Sequence, residues 1–155
     1  PRGLMNLYDY HLPEMVKVGI GSEKDTELGY DHTPEILSAL SKKDGLCVVG
    51  PGLGRTEQAM KLTQCLLEEY RGPLLLDADA MYALSPSILV KRPREQKLVM
   101  SPHKGEFAHL FSVLFPDHEQ EPSSEAERIE WAEQIAKKFG IWIVSKGLPT
   151  AICTP

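Results

Sequence analysis

Short apolar runs that end in polar clusters recur along this chain, and each is followed by an amphipathic stretch. Residues 45–50, Gly-Leu-Cys-Val-Val-Gly, run into Pro51, Gly52, Leu53 and Gly54. A helix is then predicted over 55–70, with Ala59, Leu62 and Leu66 on one side and Thr56 placed to cap it. Residues 74–76, Leu-Leu-Leu, end at Asp77, Ala78 and Asp79, and a short helix is predicted over 80–85. Residues 97–100 lead through 101–106 into a helix carrying Phe107, Leu110, Phe111 and Leu114. A polar loop at 116–124 precedes an amphipathic helix over 125–139, which Gly140 ends by supplying a left-handed residue. Residues 141–144 form another apolar strand ending at Ser145, Lys146 and Gly147, with a short strand at 150–153. Before all this, Thr33 opens a helix through Leu40, while residues 1–30 carry no legible pattern. Apolar runs of this length suit strands buried on both faces of a parallel sheet. The expected fold is therefore α/β: a three-layer, open, mostly parallel sheet with helices on both faces.

At 155 residues the chain suits a single domain. Its 17 basic against 22 acidic side chains leave a formal charge of -5, so no basic field exists to hold nucleic acid or an anionic membrane. No apolar run is long enough to span a bilayer. Cys47, Cys65 and Cys153 are spaced for neither a disulfide framework nor a metal site, so they read as reduced thiols of an intracellular protein. Cytosol is the default compartment, with mitochondria left open. Starting at Pro1 without methionine and stopping at Pro155, the chain reads as a fragment, and homo-oligomerisation through exposed sheet edges is left open.

Ligands of open parallel sheets bind beyond the carboxyl ends of the strands, and every polar cluster here falls at such an end. Gly50, Gly52 and Gly54 permit close backbone approach and leave helix-terminal amides for an anion; an ordinary glycine turn is the competing reading. Asp77 and Asp79, two apart, point the same way in an extended strand end and suit Mg²⁺ or its waters, with helix capping as the alternative. His103 and Glu106, three apart, face one cleft, and they fit a capping box only imperfectly. Lys146 after a buried strand needs an anionic partner, either a phosphate or a structural carboxylate. His11, His32, His109 and His118 show no grouping for zinc.

Taken in order, residues 48–55 (Val-Val-Gly-Pro-Gly-Leu-Gly-Arg), 76–80 (Leu-Asp-Ala-Asp-Ala), 101–107 (Ser-Pro-His-Lys-Gly-Glu-Phe) and 145–147 (Ser-Lys-Gly) closely resemble the ADP- or ATP-dependent NAD(P)H-hydrate dehydratases, which have the ribokinase-like fold. The resemblance is clearest over 46–152, with a softer match at Pro13-Glu14-Met15. It implies a single partial ribokinase-like domain over 1–155 that belongs to nicotinamide cofactor repair. In that activity the hydrate of NADH or NADPH is phosphorylated at its hydroxyl by ADP or ATP, and phosphate is then eliminated. Carried over, Gly50, Gly52 and Gly54 with His103, Lys104, Gly105, Glu106, Phe107, Ala108 and His109 bind the hydrate. Lys146, Gly147, Leu148, Pro149 and Thr150 bind the nucleotide. Glu106, where the superfamily has the acidic end of an Asn-x-x-Glu element, organises Mg²⁺ and phosphate, which adds to the metal reading of Asp77 and Asp79 from their spacing, and His103 stands in the Asn place. The family's Gly-x-Gly-Asp segment, with its expected catalytic base, falls beyond Pro155, so the chain alone is expected to be inactive. Two other readings compete: a small-alcohol kinase of the same superfamily, and a non-catalytic nucleotide-binding module.

Overall fold

The computed structural model describes residues 1–41, 45–118 and 120–155. Within the 116–124 loop, Glu119 therefore lies outside the described residues. Among the described residues, five strands form one sheet in the order of the chain: β1 (Cys47–Val49), β2 (Leu74–Leu76), β3 (Leu98–Met100), β4 (Trp142–Ser145) and β5 (Ala151–Cys153). The first four are parallel, and β5 returns antiparallel against β4. The α/β class and the mostly parallel open sheet are as expected.

Among the described residues the α-helices are α1 (Met5–His11), α2 (Thr33–Leu40), α3 (Glu57–Glu69), α4 (Pro86–Lys91), α5 (Lys104–Leu114) and α6 (Glu125–Phe139). The Thr56 hydroxyl accepts the Ala59 amide at 3.3 Å and so starts α3 where expected. Ser124 and Glu127 form a reciprocal capping box at the start of α6, and Gly140 ends that helix with φ 63°. Between β2 and β3 the helix expected over 80–85 is replaced by a 3₁₀ segment (Ala78–Ala83) followed by α4. Ser85 caps α4 instead of ending the earlier turn, because its extended backbone lets the hydroxyl accept the Ile88 amide. Pro86 then fills the first helical position, where a missing N–H costs nothing.

Sequential strand order with right-handed crossovers sends every connecting helix to the same face of a sheet. The register agrees. Val49, Leu74, Leu76, Leu98, Met100, Ile143 and Cys153 share one face and enter the core with Leu62, Phe107, Phe111 and Ile135 from the helices. Each such leucine, when fully buried, contributes about 1.5–3 kcal/mol. The alternate residues Val48, Leu75, Val99, Trp142, Val144 and Ile152 form the opposite face, and none of them joins that core. Val48 and Ile152 are 54% and 70% exposed. Among the described residues the connecting helices thus build one outer layer; the expected open, mostly parallel sheet is present, but these helices do not cover its second face as expected.

Candidate functional site

The carboxyl ends of the parallel strands are tied together by a small set of polar contacts. Asp77, leaving β2, accepts at Oδ1 from the Ser101 hydroxyl at 2.8 Å and from Lys146 Nζ at 2.7 Å. The Lys146 amide also donates to the Pro102 carbonyl at 2.9 Å, so the exits of β3 and β4 are fixed by backbone as well as by charge. Burial pushes the Asp77 carboxyl up. Hydrogen bonds from Lys146 and Ser101, the Lys146 charge and the Ala78 amide outweigh that and hold it below its ordinary value.

At the exit of β1, Gly50 adopts φ +126°, and a Cβ there would overlap the Asp77 carbonyl oxygen. Glycine at this position lets two strand exits touch, which is a different service from meeting a ligand. Gly52 and Gly54 also have positive φ, yet both face open space, so their side of the loop remains approachable.

The expectation that Asp77 and Asp79 point the same way fails at Ala78, whose φ of 49° breaks the extended backbone between them. Asp79 turns instead toward the glycine loop, accepting the Gly54 amide at 3.1 Å and Arg55 Nε at 2.8 Å. The Arg55 guanidinium lies 3.7 Å from the centroid of the Tyr82 ring, and Tyr82 stacks on His109 with centroids 4.3 Å apart. His109 is held below its ordinary pKa, first by burial and then by the Arg55 charge, and its Nε2 is buried without a partner.

His103 and Glu106 form a complete capping box for α5, which corrects the expectation of an imperfect one. His103 Nδ1 accepts the amides of Gly105 and Glu106 at 3.0 and 3.2 Å, while Glu106 Oε2 accepts the His103 amide at 2.8 Å. With Nδ1 accepting, the ring proton belongs on Nε2, which lies 3.1 Å from Glu106 Oε1. The His103 side chain stays 59% exposed and the Glu106 side chain only 6%, so the imidazole forms the rim and the carboxylate holds it. Lys104 and Gly105 are exposed and Ala108 is half-buried, whereas Phe107 is 1% exposed and packs into the core. Phe107 therefore supports α5 from beneath.

On the β4 to β5 connection, Leu148 is 92% exposed and the Thr150 hydroxyl donates to the Gly147 carbonyl at 3.1 Å. The metal reading of Asp77, Asp79 and Glu106 does not fit this geometry. Each carboxylate already serves a different partner: Lys146, Arg55 or the α5 cap. Among the described residues no three His, Cys, Asp or Glu side chains group to hold an ion. The sequence reading passed over Ser101, Arg55 and Tyr82. Ser101 and Arg55 lie within the quoted motifs, but nothing local marks a serine as a partner for a carboxylate on another strand.

A family model described as NAD(P)H-hydrate dehydratase matches residues 14–155. A bifunctional NAD(P)H-hydrate repair enzyme of Gloeobacter violaceus is 38% identical over 116 residues, covering 75% of this chain and 20% of that protein. The ATP-dependent (S)-NAD(P)H-hydrate dehydratase of Candida albicans is 32% identical over 116 residues, covering 72% of this chain and 30% of the relative. Among solved structures, an ADP/ATP-dependent NAD(P)H-hydrate dehydratase from Bacillus subtilis, co-crystallised with ATP and Mg²⁺, superposes with a TM-score of 0.68 at 24% identity. That likeness, which shows the fold, covers 99% of this chain and 48% of the other. The chain thus spans between 20% and 30% of these two curated relatives and about half of the solved structure.

Proposed function

We propose, from the premise that this chain belongs to the NAD(P)H-hydrate dehydratase family, that its strand-end cluster is part of a site for nucleotide-dependent repair of hydrated NADH or NADPH. One observation carries the reading: Asp77 joins the exits of β2, β3 and β4 in one contact set, with the glycine loop abutting it through Gly50. A long two-part substrate pair needs such a continuous rim, and phosphoryl transfer needs positioning and charge more than a strong nucleophile.

In this reading the open side of Gly52 and Gly54, the exposed His103 imidazole and the backbone of Lys104 and Gly105 meet the hydrate. Lys146 and the segment through Thr150 meet the nucleotide. The Lys146 ammonium, 2.7 Å from Asp77, supplies positive charge beside the phosphates and is held extended by the carboxylate. The hydrate hydroxyl oxygen bonds to the terminal phosphorus as the nucleotide's bridging P–O bond breaks. Loss of a proton from the neighbouring carbon then expels phosphate and restores the dihydronicotinamide. The hydroxyl proton leaves as the P–O bond forms, and the balance is hydrate plus ATP giving cofactor, ADP, phosphate and a proton, or the same with ADP giving AMP. Mg²⁺ enters, on this view, with the nucleotide's phosphates and not as a resident ion, and no step above is routed through it.

The test is the protein expressed from its complete reading frame, with enzymatically prepared NADH hydrate, Mg²⁺ and either ATP or ADP, followed by recovery of dihydronicotinamide absorbance. Recovery with one nucleotide supports the reading and names the donor. A stable phosphorylated small alcohol with no recovery moves the assignment to a kinase. Among the described residues no helix is long and apolar enough to cross a membrane.

A further inference from the structure

Arg128 on α6 is 3% exposed, and nothing in the function proposed above uses it. Its guanidinium reaches across to the exit of β4. One terminal nitrogen donates to the Ser145 hydroxyl and the other to the Glu125 carboxylate one turn back on α6. Ser145 is itself fully buried, immediately before Lys146. A Cβ built on Gly147 would overlap both the Arg128 guanidinium and the Glu125 carboxylate, so the pair rests directly against the Gly147 backbone. Lys146 is thus bracketed: Ser145 and Gly147 on either side abut the same guanidinium, and its own amide is held by the Pro102 carbonyl at 2.9 Å.

The Arg128 Nε–H is buried without a partner. A buried, incompletely satisfied cation is a poor way to stabilise a fold, since an apolar residue of similar volume is often as good or better. A planar fork that reaches two directions at fixed geometry is a good way to set a backbone. We infer that Arg128, braced by Glu125, is a positioning residue that presets residues 145–147 so that Lys146 meets the nucleotide's phosphates without reorganisation. The inference rests on the proposed nucleotide-dependent reaction. It also accounts for glycine at 147, where any side chain would displace the fork.

The test uses the protein from its complete reading frame, with steady-state kinetics run separately in MgATP or MgADP and in NADH hydrate. Arg128→Met is expected to raise the nucleotide KM about tenfold or more, the scale that displacement of a positioned group produces, while the hydrate KM stays within about twofold. Arg128→Lys restores the charge without the fork and is expected to recover only part of the loss. Ser145→Ala, which keeps the guanidinium but removes its acceptor, and Gly147→Ala, whose methyl displaces the fork, are expected to shift the nucleotide KM in the same direction; they keep the test available if Arg128→Met does not fold. Variants that lower only the melting temperature, or move both KM values alike, overturn the positioning role while leaving the proposed function standing. A wild-type protein that shows no nucleotide-dependent recovery overturns the function, and the inference with it.

Discussion

Gly50→Ala is the sharpest test of how the strand ends are held together. The backbone at this position has φ +126°, a region nearly closed to residues with a Cβ, and holding alanine there costs on the order of 1–3 kcal/mol. The added methyl also falls on the Asp77 carbonyl oxygen and close to Ala80 Cβ, and forcing such an overlap costs roughly 1–3 kcal/mol more. Moving Asp77 aside would lengthen the 3.0 Å bond from its amide to the Val49 carbonyl, worth about 1 kcal/mol. A total of about 3–7 kcal/mol is expected. Gly52→Ala is the internal control: its φ is also left-handed at +70°, but nothing lies within 4 Å of the new methyl. Only the conformational cost remains, roughly 1–2 kcal/mol. Urea denaturation followed by the fluorescence of Trp131 and Trp142 measures both variants against the parent chain. If Gly50→Ala proves no more destabilising than Gly52→Ala, the close approach of the β1 and β2 exits is not what glycine serves at this position.

Asp77 binds fewer protons folded than unfolded, so its stabilisation is present above its ordinary carboxyl pKa of 3.8 and is lost as pH falls toward the lower folded value. Asp77→Asn is expected to flatten that part of the acid denaturation curve, measured by circular dichroism. His109 has the opposite charge type and a lowered folded pKa, so the unfolded chain takes up its proton first and stability declines as pH falls below the ordinary 6.5. His109→Gln is expected to remove this decline in denaturant titrations between pH 7 and 5, a range chosen to bracket the ordinary imidazole value. Thr56→Ala deletes the acceptor for the Ala59 amide at the start of α3 and is expected to cost about 1 kcal/mol in the same denaturation assay, with serine restoring most of it.

The elements most legible in the sequence were those with local causes. The helix cap at Thr56, the left-handed stop at Gly140 and the apolar runs of β1 to β4 depend on neighbours within a few residues, and the structure places them within one or two positions of where they were read. The departures have causes of a different kind. Ala78 takes a left-handed backbone that a non-glycine residue seldom adopts, and that single residue sends Asp77 and Asp79 to different partners. The capping box at α5 looked imperfect because histidine is a rare cap, yet Nδ1 takes the place of a serine or aspartate oxygen. Arg128 left no local trace at all. A buried arginine on an otherwise ordinary amphipathic helix is visible only when the strand it meets, 17 positions on, has been placed. Among the candidate site residues, the order of the motifs along the chain carried more information than any one of them, because sequential strands bring sequential loops to one rim.

The same strand order bears on how the chain acquires its shape. After β1, each parallel strand pairs with the one made just before it, so no described strand must wait for a partner synthesised much later. Each addition closes one helix-containing loop, and the entropy of that closure grows only slowly with loop length. The sheet can therefore lengthen one strand at a time as the chain emerges, with each new helix covering the pairing just made. The turn back into β5 departs from this progression: an antiparallel strand joined by a short link pairs with β4 without another crossover.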